Sequence, residues 1–461
     1  MRDRYFEILT VNSKNNHINT QPTMSNSILE ILERPVQRRL FLFRSTQTVL
    51  SVALLGGAAS YGADASGMIG SHDALASIGP ENEITLPPLE AKTEQEKGPL
   101  PNPEPMEHRI GFAIVGLGHL ALEEVLPAFG ACKKSKIVAL VSGDSKKAFI
   151  VAKQYGVSEK NIYDYENFDS IKNNKEVDVV YIILPNSMHA EFTIRSAKAG
   201  KHVLCEKPMA NSVSECEQMI QACEEANRKL MIAYRVQYEP DNTTIKKLVR
   251  EEKYGKIKNI TSTNVQNIGD HKQWRLNKKL SGGGSLPDVG IYCLNTIRFI
   301  TGEEPSEVYA QITTDISDSR FKEVEDLVNF QLTFPSGLRA MCSSSYSQHQ
   351  SRNYRIYAER AFFGMDPAFS YGGLQMYCSY ADGDTEIYET PKRSPKNQFA
   401  LEMDHMSDCI RNNKKPYTPG EEGLKDMKII EALYLSAEQN KPVKLEKLEG
   451  KDLFRGSEPQ K

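Results

Sequence analysis

The chain has 461 residues, and its 57 Lys and Arg against 60 Asp and Glu give a formal net charge of −3. Hydrophobic residues make up 39% and charged residues 25%, which is typical of a globular protein of about two or three domains and excludes a disordered chain, a collagen and a polytopic membrane protein. The nearly balanced charge predicts no nucleic-acid partner. The eight cysteines form no CxxC pair and no zinc-ligand spacing, so we predict neither a metal site nor a disulfide scaffold.

Residues 1–65 contain the parts of an export signal in the required order. Arg38 and Arg39 precede an apolar core, Val49 to Ala59, that is too short to span about 30 Å of hydrocarbon as a helix, and an Ala-x-Ala motif follows. Paired arginines before x-Phe-Leu are typical of the twin-arginine variety. We predict export by the twin-arginine machinery and no stable membrane insertion after the signal is removed. The alternative is an N-terminal helix that anchors the protein or packs on it, and Met24 is an alternative start.

Residues 66–108 are rich in proline and have little hydrophobic periodicity. Such a stretch favours extended backbone and cannot build its own core. We predict an arm or linker, and two interpretations stay open: a disordered spacer, or an arm that lies on a neighbouring subunit.

Residues 109–235 alternate between apolar runs and helical stretches. The apolar runs predict strands at 110–115, 137–141, 177–184, 202–205 and 230–234, and helical patterns lie between them at 121–132, 147–155, 190–199 and 214–227. Alternation of this kind predicts an α/β domain with a doubly wound parallel sheet.

Residues 236–461 lose this rhythm. Strand-like runs at 257–266, 307–313, 326–334 and 338–345 follow one another without regular helices, and helical patterns occur at 243–252, 289–300, 398–412 and 421–440. We predict an α+β domain with a large, mostly antiparallel sheet, which would carry the substrate site and the oligomer contacts.

A glycine-rich turn follows the first predicted strand. It reads Gly116, Leu117, Gly118, His119, Leu120 and Ala121, a G-x-G-x-x-A motif that opens a helix. The first glycine allows a tight turn, the second lets a pyrophosphate approach the backbone, and the small Ala121 allows close packing of helix and strand. Helix N-terminal amides then hold the phosphates. We predict a dinucleotide-binding Rossmann domain, with a plain tight turn as the alternative.

The end of the second predicted strand indicates which dinucleotide binds. A carboxylate there would favour NAD by bonding the ribose hydroxyls. This chain has Ser142, followed by Lys146 and Lys147. A hydroxyl and an ammonium suit a 2′-phosphate, so we predict NADP. Asp144 is the one residue that favours NAD instead. The alternative for Lys146 and Lys147 is that they are solvated residues at the start of a helix.

Two further predicted strands end in polar motifs at the same edge of the sheet. Pro185, Asn186 and His189 follow one strand, and Glu206 and Lys207 follow the other. We take these five residues as candidates for the cofactor site, with His189 either lining that site or simply starting a helix. Asp288 and Tyr292, four residues apart on one predicted helix, share a face.

Together these motifs resemble the glucose–fructose oxidoreductase family, within the wider Gfo/Idh/MocA dehydrogenases. The resemblance covers about residues 109–441 and is carried by the cofactor motif, Tyr181 to Ser187, Cys205 to Pro208, Tyr234-Arg235, Trp274 to Leu276, Gly282 to Ser285, Asp288 to Tyr292, Gly302 to Pro305 and Pro419 to Gly423. Many members of the wider group have His at the position of Tyr292. Tyrosine at that position, together with Ser142 and Lys147, resembles the pattern of the glucose–fructose oxidoreductases instead.

The chemistry open to these residues is the oxidation of an aldose at C1. A phenol has an ordinary pKa of about 10, so it is a poor base until a cation stabilises the phenolate. Lys207 is the candidate cation, Tyr292 the candidate acid/base, and Asp288 would orient the substrate or Lys207. The candidates for sugar contact are Arg235, Trp274, Arg275, Asp288 and Tyr292.

The resemblance implies a periplasmic enzyme with tightly bound NADP, in which glucose becomes gluconolactone and fructose then becomes sorbitol at one site. It also implies a homo-oligomer, with a tetramer expected. An aldose–aldose oxidoreductase or a single-substrate sugar dehydrogenase would need the same residues. A non-catalytic sugar or nucleotide sensor is the remaining alternative, and the intact Lys207, Asp288 and Tyr292 argue against it.

Overall fold

The computed structural model describes residues 103–459 and, before them, the two short antiparallel strands Ser77–Ile78 and Ile84–Thr85. The predicted signal peptide, 1–65, and most of the predicted arm, 66–108, lie outside the described residues. Among the residues that are described, no helix is both long enough and apolar enough to cross a membrane.

The first sheet has six parallel strands and confirms the predicted doubly wound α/β fold. Their order across the sheet is Ile162–Tyr163, Ser135–Val141, Ile110–Val115, Val179–Ile182, His202–Glu206 and Leu230–Ala233. The order reverses beside Ile110–Val115, which pairs on one side with the second strand in sequence and on the other with the fourth. In such sheets ligands bind beyond the strand carboxyl ends at this reversal.

The connecting helices of this domain follow the predicted pattern with small shifts at their ends. The main ones are Ser145–Tyr155, His189–Lys198 and Val213–Glu225, and the helix after the glycine-rich turn passes from π geometry at Ala121–Val125 through Leu126–Ala128 to a 3₁₀ turn at Phe129–Ala131. The strands that they flank are buried on both faces, and Phe112, Ile114 and Tyr181 are fully inaccessible.

The second sheet has nine strands and confirms the predicted large, mostly antiparallel sheet. Its strands, in order across the sheet, are Thr385–Glu389, Met376–Asp382, Ala361–Met365, Ser347–Ala358, Ile257–Asn267, Arg339–Ser345, Leu327–Thr333, Glu307–Thr313 and Val443–Lys444. Only the pair Ile257–Asn267 and Arg339–Ser345 is parallel. The helices of this domain are Pro240–Arg250, Lys278–Ser281, Ile291–Thr301, Gln398–Arg411 and Gly420–Gln439.

A fully buried arginine ties the helices of the second domain together. The Arg298 guanidinium, which has no solvent exposure, bonds Glu304 at 2.7 Å and Glu422 at 3.0 Å, and it also contacts Asp426. Glu422 in turn bonds Arg455 at 2.6 Å, which fastens the end of the described chain to the core. Because each charge lies away from water, removal of Arg298 leaves Glu304 and Asp426 buried without a cation.

We expect Arg298→Met to lower the free energy of unfolding by about 3–5 kcal/mol, because the buried Glu304 and Asp426 lose their cation and Glu422 keeps only Arg455. The matched control is Lys247→Met, since Lys247 forms an exposed pair with Glu251 at 3.7 Å, worth less than about 1 kcal/mol. Urea denaturation of the two variants measures the difference, and equal losses would contradict the structural role assigned to Arg298.

Candidate active site

The glycine-rich turn forms an open cradle at the end of the first strand. Gly116 has φ +95°, and a Cβ there would lie 2.2 Å from the carbonyl oxygen of Ile183, so only glycine fits. Gly118, by contrast, has no atom within 4 Å of the place where its Cβ would stand, and the His119 side chain is exposed. Free space above a helix N-terminus is what a dinucleotide pyrophosphate requires, so these residues fit the predicted cofactor.

In the loop after the second strand, the carboxylate of Asp144 bonds the main chain of the loop itself. The Ser142 hydroxyl accepts a hydrogen bond from the Asp144 main-chain amide at 3.1 Å. The Asp144 carboxylate accepts one from the Lys147 main-chain amide at 3.0 Å, as the N-cap of the helix Ser145–Tyr155. Asp144 is therefore held as a helix cap. Ser142 is buried, at 3% exposure, and Lys147 is partly exposed, so their contact with a ribose phosphate stays a prediction.

Lys207 and Asp288 meet between the two domains. The Lys207 ammonium donates to the Asp288 main-chain carbonyl at 2.7 Å and to its carboxylate Oδ1 at 3.1 Å. The other carboxylate oxygen, Oδ2, bonds the Tyr346 hydroxyl at 2.8 Å and lies 3.2 Å from Arg275 Nε. The Lys207–Pro208 peptide bond is cis.

These contacts set the charge of both groups. Burial alone would raise the pKa of Asp288, but the Lys207 and Arg275 cations hold it well below its usual range. Burial alone would lower the pKa of Lys207, but Tyr292, Asp288 and Glu206 raise it. Lys207 is therefore a fixed ammonium and Asp288 a fixed carboxylate at neutral pH.

Tyr292 lies between two cations that approach it differently. The Lys207 ammonium stands over the ring face, 4.7 Å from its centroid, whereas Arg235 Nη2 donates to the phenol oxygen at 3.2 Å. The sequence predicted Lys207 as the cation for this phenol and Arg235 as a sugar contact. In the structure the hydrogen bond to the phenol comes from Arg235, which is only 4% exposed. Lys207 affects the phenol through the ring and through the field of its charge.

Arg235 is held by protein groups on almost every donor. It bonds the main-chain carbonyls of Phe369 at 2.6 Å and Ser370 at 3.2 Å, and the Gln398 side chain at 2.8 Å. A guanidinium fixed in this way is a rigid orienting group for Tyr292.

The remaining predicted residues take different places. His189 is buried, with its ring nitrogens 2.9 Å from the carbonyl oxygens of Pro208 and of Leu184, which precedes Pro185. Asn186 donates to the Ser281 carbonyl at 2.8 Å, and Trp274 stacks under the Arg275 guanidinium at 4.7 Å. Their contacts with cofactor or substrate stay predictions.

Sequence reasoning missed three residues that complete the site. Tyr346 holds Asp288, Tyr371 stacks on Arg235 at 4.6 Å, and Glu402 lies within 3.3 Å of Tyr181. None belongs to a recognisable motif, and each comes from an element more than 50 residues from its partner in sequence. Only the folded topology brings them together. In the described part of the chain, no three His, Cys, Asp or Glu side chains are grouped so that they could hold a metal ion.

Tyr292 is a phenol between two fixed cations, and it lies at the same sheet edge as the dinucleotide cradle. A phenol there can take or return a proton while the dinucleotide takes or supplies the hydride, which interconverts a hydroxyl and a carbonyl. The fold and site therefore define a nicotinamide-dependent oxidoreductase.

Comparisons with known proteins agree with this class. A family model described as an oxidoreductase family with a NAD-binding Rossmann fold matches residues 110–234, and a GFO/IDH/MocA C-terminal domain model matches residues 242–363. D-xylose 1-dehydrogenase [NADP(+)] of Haloarcula marismortui is 31% identical over 346 residues, which cover 74% of this chain and 94% of that protein. The chain belongs to the Gfo/Idh/MocA oxidoreductase family.

Solved structures give a second comparison. The aldose-aldose oxidoreductase from Caulobacter crescentus, complexed with glycerol, is 48% identical with a TM-score of 0.71, covering 73% of this chain and all of that one (100%). Levoglucosan dehydrogenase in complex with NADH shares the fold at 20% identity and a TM-score of 0.66, covering 74% of this chain and 100% of that one.

We expect Gly118→Ala to weaken NADP binding by about tenfold or more without lowering the melting temperature, because its Cβ would stand where a pyrophosphate approaches the backbone. Gly116→Ala is the matched control: it should lower the melting temperature even without nucleotide, since its Cβ collides with Ile183. Nucleotide fluorescence titration and thermal melts separate the two effects. If Gly118→Ala bound nucleotide as tightly as the wild type, the turn would not be the cofactor cradle.

Proposed function

We propose that the protein is an NADP-dependent sugar oxidoreductase that oxidises an aldose at C1 and passes the hydride to a second sugar at the same site. The observation that carries the proposal is the placing of Tyr292, whose ring faces the Lys207 ammonium at 4.7 Å while its oxygen accepts from Arg235 at 3.2 Å. The relatives whose names are given above act on xylose and on aldoses, which supports a sugar as the substrate.

The residues divide the work of proton transfer. Tyr292 takes the proton from the C1 hydroxyl as the aldose is oxidised and returns a proton to the carbonyl oxygen of the acceptor. Arg235 and Lys207 stabilise the negative charge on the phenol oxygen while its proton is away. Asp288 keeps Lys207 in place, and Tyr346 and Arg275 keep Asp288 in place. Bound NADP would supply the site that accepts and returns the hydride.

Two acceptors are candidates. Fructose is the acceptor that the resemblance to the glucose–fructose oxidoreductases implies, which would make the protein a glucose–fructose oxidoreductase producing gluconolactone and sorbitol in ping-pong order. A second aldose is favoured by the 48% identity to the Caulobacter enzyme. Both use one chemistry, because each acceptor carbonyl needs a hydride and a proton.

The proposal extends to the setting of the enzyme. The twin-arginine pattern at Arg38 and Arg39 supports export of a folded protein to the periplasm with its NADP already bound. Ser142 and Lys147 support NADP over NAD. The expected assembly is a homotetramer, in which the proline-rich segment 66–108 would help to retain the cofactor of an adjacent subunit.

The absorbance of protein purified without added cofactor tests this reaction directly. We expect a bound nucleotide that mass spectrometry of the denatured sample identifies as NADP, and a band of reduced nicotinamide that appears with glucose. The band should then disappear with fructose or with a second aldose, and the effective sugar decides between the two acceptors. A sample that no sugar reduces would contradict the proposed function.

Tyr292→Phe tests the assigned proton carrier. It should retain NADP but reduce it at least about a hundredfold more slowly, which is the usual contribution of a general acid–base group. Tyr309→Phe is the matched control, because among the described residues the Tyr309 hydroxyl bonds only Asn440, which has no part in the site. Stopped-flow absorbance measures both variants. A Tyr292→Phe rate within a few-fold of the control would remove the phenol from the chemistry.

A further inference from the structure

A second tyrosine joins two buried carboxyl groups behind the active site. Tyr181 lies on the strand Val179–Ile182, and its hydroxyl is 2.8 Å from Glu206 Oε1 and 3.3 Å from Glu402 Oε1. Glu206 ends the neighbouring strand, directly before Lys207. Glu402 comes from the helix Gln398–Arg411 of the other domain. Tyr181 and Glu402 are completely buried, and Glu206 is 8% exposed.

The number of hydrogen atoms in this cluster limits how its groups can bond. A tyrosine hydroxyl has one proton and therefore donates one hydrogen bond, and the shorter distance assigns that bond to Glu206. The second Glu206 oxygen accepts the Lys207 main-chain amide at 3.2 Å. The Tyr181 oxygen then has a lone pair, not a proton, to offer Glu402.

Glu402 has no other hydrogen-bond donor within the described structure. Its Oε2 atom is buried without a partner, and its Oε1 atom contacts only the Tyr181 hydroxyl. An ionised carboxylate in this position would face a lone pair at 3.3 Å and lack any compensating bond, which is a costly state for a buried charge. A neutral carboxylic acid instead gains a bond, because its own proton reaches the Tyr181 oxygen.

We propose that Glu402 is a protonated carboxylic acid that acts as a positioning residue: it donates to Tyr181, Tyr181 donates to the Glu206 carboxylate, and Glu206 holds the main chain of Lys207. The chain of three groups connects the second domain to the loop that carries the active-site ammonium. Its effect on turnover rests on the proposed function, whereas the protonation of Glu402 does not.

The electrostatics of the surroundings agree with this assignment. Burial raises the pKa of Glu402 well above its usual value, the nearby Glu206 raises it further, and the charge of Arg235 only partly offsets these effects. The pKa of Glu206 is also raised by burial, and the charge of Lys207 and the bond from Tyr181 offset only part of that rise. Of the two carboxyl groups, Glu206 is the one that accepts hydrogen bonds, from the Tyr181 hydroxyl and the Lys207 main-chain amide, so we assign it the carboxylate form.

The proton on Glu402 also preserves the charge balance around Tyr292. Lys207, Arg235 and Arg275 contribute three positive charges, and Asp288 and Glu206 contribute two negative charges. One positive charge therefore remains to stabilise the phenol oxygen when it loses its proton. An ionised Glu402 would cancel it.

Infrared spectroscopy tests the protonation state without any sugar. The difference spectrum of the wild-type protein minus Glu402→Gln, recorded in D₂O at neutral pH, should contain the carbonyl band of a protonated carboxylic acid. A difference spectrum that contains a carboxylate band in its place would overturn the proposal. Because the measurement needs no turnover, it stands even if the proposed reaction fails.

A conservative and a disruptive substitution test the positioning role. Glu402→Leu and Tyr181→Phe should each slow the reduction of bound nicotinamide by about tenfold or more at unchanged nucleotide content, since Glu402→Leu removes one hydrogen bond of the chain and Tyr181→Phe removes two. Glu402→Gln should restore the rate to within about threefold, because its amide can still donate to Tyr181. Equal loss in Glu402→Gln and Glu402→Leu would show that the donated hydrogen bond has no part in the effect. If Glu402→Leu does not fold, the comparison of Tyr181→Phe with Glu402→Gln decides.

Discussion

The pair of Lys207 and Asp288 is the contact on which the rest of the site depends. It joins the carboxyl end of a parallel strand in the first domain to the start of a helix in the second, with 3.1 Å between ammonium and carboxylate. Both side chains are mostly buried, at 12% and 17% exposure, so an unpaired charge there would be costly. The geometry of Tyr292, one turn after Asp288, follows from this junction.

Each group in the site is oriented by a second group. Asp288 is held by Tyr346, Tyr292 by Arg235, and the main chain of Lys207 by Glu206. Such support reduces the reorganisation needed when charge develops on a reacting oxygen. The two domains share the task, because Lys207 and Arg235 belong to the first and Asp288 and Tyr346 to the second.

Much of this arrangement is predictable from the sequence, and the exceptions have physical causes. Buried parallel strands and the glycine-rich turn are local patterns, so five of the six parallel strands and the motif could be identified. The edge strand Ile162–Tyr163, only two residues long, was missed. Strands such as Ser347–Ala358, which begins with four consecutive exposed polar residues, lack the apolar run that marks a strand and were missed. The sequence predicts Arg235 as a sugar contact, which stays a prediction, but it gives no sign that Arg235 bonds Tyr292. Its bond to Tyr292 depends on an approach across 57 residues of sequence.

A double-mutant cycle on Lys207 and Asp288 tests the central claim most directly. The quantity is the rate constant for reduction of bound nicotinamide by glucose or another effective aldose in the wild type, Lys207→Met, Asp288→Asn and the double variant. If the pair acts as one unit, the double variant should lose no more than about the larger of the two single losses, giving a coupling free energy of about 1 kcal/mol or more. Losses that add in full would contradict the account, because each side chain would then act without the other.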